Sequence, residues 1–186
     1  MRLTLAKSLS LFLLFGSASA FAHTGTGVAG FLHPFSGLDH LLAMLAVGIW
    51  AAQLGGRALW FVPATFVLTM LAGGGLGMVG VTLPYIEAGI LASVLVLGIA
   101  IAAMVRLPLL GSLLLVGIFA LFHGNAHGLE MPLQSSVWLY SLGFAASSLF
   151  LHGLGMFLSL TLKPAGALVR LGGVAIALSG AVLAFA

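Results

Sequence analysis

Two short segments hold most of the chemistry available to this chain of 186 residues. One is His33-Pro34-Phe35-Ser36-Gly37-Leu38-Asp39-His40; the other is Phe122-His123-Gly124-Asn125-Ala126-His127-Gly128-Leu129-Glu130. On a helix, His123 and His127 stand four residues apart and Glu130 three further on, so all three share a face. Two imidazoles followed by a carboxylate at that spacing can close around one divalent ion. In the first segment His33 precedes a proline, which disfavours helical geometry and places it in the turn leading into a helix. Pro34 can stand in the first turn, and Asp39 and His40 follow one to two turns in. A capping box of Ser36 with Asp39 would account for that carboxylate but leaves both histidines unexplained. Imidazole and carboxylate together suit Ni, Co, Zn or Fe(II), and the ordinary affinity order of these metals does not choose among them. Cysteine is absent, which excludes disulfides, zinc–thiolate sites and iron–sulfur clusters.

The elements that must position these groups are those of a membrane protein. Apolar residues make up 62% of the chain and charged residues only 5%, where a soluble domain carries about 25% charged residues. Six Lys and Arg residues are scattered without forming a patch or stripe, so nucleic acid is not an expected partner. Membrane lipid is. Residues 1–22 have the pattern of a cleavable secretory signal peptide: basic Arg2 and Lys7, an apolar stretch from Leu9 to Phe15, and small residues at Ala18-Ser19-Ala20 and Ala20-Phe21-Ala22. Cleavage after Ala22 would make His23 the new terminus, able to chelate a metal through its α-amine and ring. It would also leave four basic residues against three acidic ones.

Residues 23–186 then read as one all-α domain, a bundle of six transmembrane helices near 35–54, 58–78, 86–105, 108–129, 135–161 and 165–185. The breaks are Gly55-Gly56-Arg57, Gly80 to Pro84, Arg106-Leu107-Pro108, Glu130-Met131-Pro132 and Lys163-Pro164. Connections this short predict that consecutive helices pack as antiparallel neighbours. With the mature terminus outside, Arg57, Arg106 and Lys163 fall on cytoplasmic connections, as the positive-inside rule requires. Arg170 lies a turn and a half into the last span and can snorkel to the same side. Gly73-Gly74-Gly75 with Gly77, and Gly124 with Gly128, permit close helix approach.

Under this topology His33, Asp39, His40, Glu87, His123, His127 and Glu130 converge on the outer half of the bundle as candidate metal ligands. Ionisable groups inside a membrane span are costly and usually face a bundle interior or a water-filled path. His152 stands apart, past the middle of the fifth span, as either a relay ligand or a hydrogen-bonded packing residue.

The run His33-Pro-x-x-Gly-x-Asp39-His40, continuing through Leu-Leu-Ala-Met-Leu-Ala-Val-Gly-Ile-Trp-Ala-Ala-Gln-Leu-Gly-Gly-Arg57, resembles the HupE/UreJ family of nickel permeases. So does Phe122-His123-Gly-x-Ala-His127-Gly-x-Glu130, and the length and six-span layout are similar across the mature chain. Members of that family accompany hydrogenase and urease maturation. The resemblance implies transport of Ni(II), with Co(II) as a second cargo, from periplasm to cytoplasm across a bacterial inner membrane. It implies that His33, Asp39, His40, His127 and Glu130 handle the ion, with Glu87 a further candidate. No permanently bound cofactor is expected, and cytoplasmic nickel chaperones are candidate partners. The residues taken alone also fit an intramembrane metal-dependent hydrolase, in which the same set would activate water. A haem carrier with paired histidines fits less well, given the carboxylates around them.

Overall fold

A computed structural model describes residues 27–162 and 166–185; the signal peptide, His23 and Lys163 lie outside the described residues. All regular structure among the described residues is helical. A short helix α1 (Gly27–Leu32) leads into a 3-10 turn at His33–Phe35. Six longer helices follow: α2 (Leu38–Leu54), α3 (Ala58–Met78), α4 (Ile86–Ala102), α5 (Leu109–Leu129), α6 (Val137–Thr161) and α7 (Gly166–Leu183). These six coincide with the apolar runs of the sequence to within a few residues. Helix α1 was not foreseen.

At 1.5 Å per residue, 21 residues span roughly 30 Å, the thickness of a bilayer core. Helices α3, α5, α6 and α7 are long and apolar enough to cross a membrane individually. Helix α2 meets the same test only together with the segment Val28–Phe35, from which it is bent by 87°, and α4, at 17 residues, is shorter. Outward faces are apolar, with Leu68, Leu110, Leu142 and Leu178 all exposed. Without water to compete for, such faces are content against lipid. Exposed Trp60 and Trp138 lie at the starts of α3 and α6, at opposite ends of the bundle, where aromatic rings suit the two membrane–water boundaries. The chain is a multi-pass membrane protein.

The expectation that consecutive helices pack as neighbours holds only for α2 with α3 and α4 with α5, which are smaller packings, and is otherwise corrected. The largest packings pair α3 with α5, α4 with α7, and α2 with α6, while α5 with α6 and α6 with α7 make little contact. Small residues explain the choice, because lipid gives no hydrophobic drive and close backbone approach must supply the attraction. On α5, a methyl added at Gly124 would run into the Met70 carbonyl, and one at Gly128 into the Gly74 carbonyl. Gly73 and Gly77 answer from α3 against the backbone of Leu121 and Asn125. Between α2 and α6, Gly48 faces the His152 carbonyl and Gly155 the Leu45 carbonyl. Between α4 and α7, Gly98 meets Ala177 and Gly173 meets Ala102. The glycines anticipated on α3 and α5 are thus an intramolecular crossing.

The bundle has two chemically different ends. Arg57 follows α2, Arg106 precedes α5, and Arg170 donates from Nε to the Ala102 carbonyl at the end of α4, 2.9 Å away. Asp39, Glu87 and Glu130 occupy the other end, at the start of α2, the start of α4 and the end of α5.

Candidate metal-binding site

Four imidazoles stand in a row at the acidic end, each neighbouring pair edge to face. The ring centroids of His33 and His127 are 4.8 Å apart, those of His127 and His40 4.6 Å, and those of His40 and His123 4.8 Å. They come from three elements: the 3-10 turn, the first turn of α2, and the last two turns of α5. His123 and His127 are fully buried, whereas His33 and His40 keep a little exposure.

Three of the four are oriented by an oxygen. His40 Nδ1 donates to Asp39 Oδ1 at 3.0 Å, and the same oxygen accepts from the His40 backbone N–H at 2.8 Å. His33 Nε2 donates to Glu130 Oε2 at 2.8 Å. Ser93 donates its hydroxyl to the Ile90 carbonyl at 2.6 Å, so at 2.8 Å it accepts from His123 Nε2. A donating nitrogen leaves the other ring nitrogen with its lone pair free, and such an outer partner both fixes the tautomer and raises ligand basicity. The free nitrogens are Nε2 of His40, Nδ1 of His123 and Nδ1 of His33. His127 stacks on Phe144 at 5.3 Å and has no hydrogen-bond partner at either nitrogen among the described residues.

Buried polar atoms are nearly always paired, and each that is not costs about 1–3 kcal/mol. Here His40 Nε2, His123 Nδ1 and both nitrogens of His127 are buried and unpaired among the described residues. A row of desolvated lone pairs backed by carboxylates is suited to a divalent cation. One ligand atom each from His33, His127 and Glu130 already lies within 4.8 Å of the others, close enough for modest side-chain shifts to bring them onto one ion. The His33 hydrogen bond holds the half-exposed Glu130 carboxyl below its ordinary pKa, against the opposing effect of partial burial. That carboxylate therefore stays charged at neutral pH.

The sequence expectations fare differently residue by residue. His33, Asp39, His40, His123, His127 and Glu130 are brought together. The spacing His123, His127, Glu130 does not act as one unit: Glu130 and His127 group with His33, while His123 faces His40. Glu87 lies exposed in the first turn of α4, at the same end as Ser93 but outside the converging group. The capping box is not formed, since Gly37 is the helix cap and the Ser36 hydroxyl donates to the His33 carbonyl at 2.6 Å. Sequence reasoning missed Ser93, which is invisible without knowing that α4 packs beside α5. It also missed Tyr140, whose ring is 6.0 Å from His33 and whose hydroxyl is buried without a partner. Asn125, quoted in the motif without a role, ties the α3–α4 connection to α5. It donates to the Val81 carbonyl at 2.8 Å and accepts from the Leu83 N–H at 2.9 Å.

Helical bundle and site together define a class: a polytopic membrane protein with a buried histidine–carboxylate cluster at one end. Within that class, the model of the HupE / UreJ protein family matches residues 11–183, and this chain belongs to that family. Protein HupE of Rhizobium leguminosarum bv. viciae is 48% identical over 163 residues, covering 87% of this chain and 85% of that protein. No solved structure matches the chain.

Proposed function

We propose that this chain is a permease carrying Ni(II), with Co(II) as a second cargo, from periplasm to cytoplasm for urease or hydrogenase maturation. The observation that carries the reading is the row of four imidazoles, of which His40, His123 and His127 hold buried, unpaired nitrogens and His33, His40 and His123 are aligned by Glu130, Asp39 and Ser93. Six crossings of the inner membrane, with the acidic end outside, fit the arrangement of arginines at the opposite end.

The steps follow from ligand exchange. A hydrated divalent ion is drawn to the acidic end, where Glu87 and the half-exposed Glu130 offer charge before any desolvation is required. Glu130 and His33 replace part of the water shell, and His127 and His40 then take over from a buried side. Neighbouring imidazoles less than 5 Å apart let one bond form as another breaks, so the ion need never be bare. Several weak stations serve conduction better than one tight one, because the ion must also leave. An inside-negative potential supplies about 2.3 kcal/mol per charge per 100 mV, or about 4.6 kcal/mol for a divalent ion, enough to drive a facilitator. The sequence has no G-x-x-x-x-G-K-[ST] motif, so nucleotide-driven transport would need a partner.

The reading makes the chain a carrier and not an enzyme. The hydrolase alternative would need the same groups to hold one metal tightly with an open position for water; a row of separated imidazoles favours passage. The test is influx into liposomes containing only this chain, with Ni, Co, Zn and Fe(II) in turn. Uptake of nickel dependent on the protein is expected; a retained, tightly bound metal with no influx would sink the permease reading.

A further inference from the structure

His152 is not part of the outer cluster, yet it is buried without any exposure and neither ring nitrogen has a hydrogen-bond partner among the described residues. A histidine kept for packing would be expected to donate its N–H to a neighbouring helix carbonyl, since two orphaned nitrogens are costly in an apolar interior. Its position is specific. The Phe66 ring separates it from the cluster, with its centroid 5.7 Å from His123 and 5.3 Å from His152.

Helix α6 links the two ends of the bundle through this residue. Phe144, stacked on His127, is followed on one buried stripe by Ser148, His152 and Ser159. At 1.5 Å per residue His152 lies about 12 Å beyond Phe144 along the axis, and Ser159 about 10 Å further. Ser159 lines a cavity of about 290 Å³ at the arginine end, together with Gln53, Met104 and Arg106. Gln53 keeps its own Oε1 buried and unpaired there. Polar groups thus continue from the outer imidazoles to the opposite end, and among the described residues His152 is the one imidazole between them.

We propose that His152 is a second, inner binding station for the divalent ion, which it receives past Phe66 from His123 and passes toward the cavity beside Gln53 and Ser159. This rests on the reading of the outer cluster as an ion site. A separate inner station answers the requirement that conduction use several exchangeable sites.

The chain has no cysteine, so His152→Cys introduces a unique thiol. Purified wild type, His152→Leu and His152→Cys are compared for equilibrium nickel binding, for nickel influx into liposomes, and for a thiolate-to-nickel charge-transfer band. The expected result is nickel binding at the outer cluster within about twofold of wild type in both variants. Maximal influx should fall at least tenfold in His152→Leu and recover severalfold in His152→Cys, which alone should show the charge-transfer band. Equal influx in the two variants, or no such band in His152→Cys, would overturn the inner station. So would loss of outer binding in both, because His152 would then be supporting the cluster and not serving a separate step. Wild type that binds and carries no nickel would instead defeat the reading of the outer site, and this proposal with it.

Discussion

The chemistry of the cluster depends on which nitrogen of each imidazole is free, and that is set one residue away from the lone pair. Asp39 does this for His40, Glu130 for His33 and Ser93 for His123. Replacing His40 or His127 by alanine is expected to abolish nickel-dependent urease or hydrogenase activity in cells at limiting nickel, and excess nickel should restore it through less selective importers. Unchanged activity at limiting nickel would show the site to be misplaced. Asp39→Asn and Ser93→Ala leave the imidazoles in place and loosen their orientation, so each should cost about 10–100-fold in nickel affinity by equilibrium binding. Acid acts through the histidines, whose neutral form is the ligand, so affinity should fall on acidification. Glu130 is different. Its pKa is depressed in the fold, so its bond to His33 contributes above the ordinary carboxyl range and is lost only as pH falls through the lowered value. Glu130→Gln should therefore weaken nickel binding wherever the wild-type carboxylate is charged, and the difference from wild type should vanish below the lowered pKa, which a pH titration of nickel binding will decide.

At the scale of helices, position follows from glycine contacts more than from chain order. The α3–α5 crossing puts backbone against backbone at Gly124 and Gly128, and the cluster histidines His123 and His127 are interleaved with those glycines on the same two turns. Holding α5 against α3 is thus the same event as fixing the two buried imidazoles. Gly124→Ala drives a methyl into the Met70 carbonyl and should destabilise the protein by about 1–3 kcal/mol, lowering the thermal midpoint in detergent and weakening nickel binding together. Gly75→Ala on α3 and Gly153→Ala on α6 meet nothing within 4 Å and should leave both unchanged. The six long helices were legible because each is an apolar run closed by Gly, Pro or charge. Helix α1 and its 87° bend were not, because six residues are too few for a periodic signal and the bend is decided by α1 lying across α6.

For the molecule as a whole, the separation of charges by end defines a direction. The arginines described lie at one end and all three acids at the other. In intact cells, Leu133→Cys, fully exposed just beyond Glu130, should react with a membrane-impermeant thiol reagent, and Arg106→Cys should not. The opposite pattern would invert the proposed direction of transport.

By itself, the sequence determined that this chain belongs in a bilayer, where its long helices run, and which residues are candidates for metal binding. Composition and residue type suffice for that, since a charge in an apolar run has few tolerable uses. Only the tertiary structure decided which groups meet. Helix pairing follows close contacts between residues far apart in sequence, and these split His123 from Glu130, set Ser93 behind His123 and left Glu87 at the rim. They also left His152, unpaired among the described residues, between the cluster and the far end. Spacing along one helix fixes a face; what that face touches is decided by the helix that packs against it.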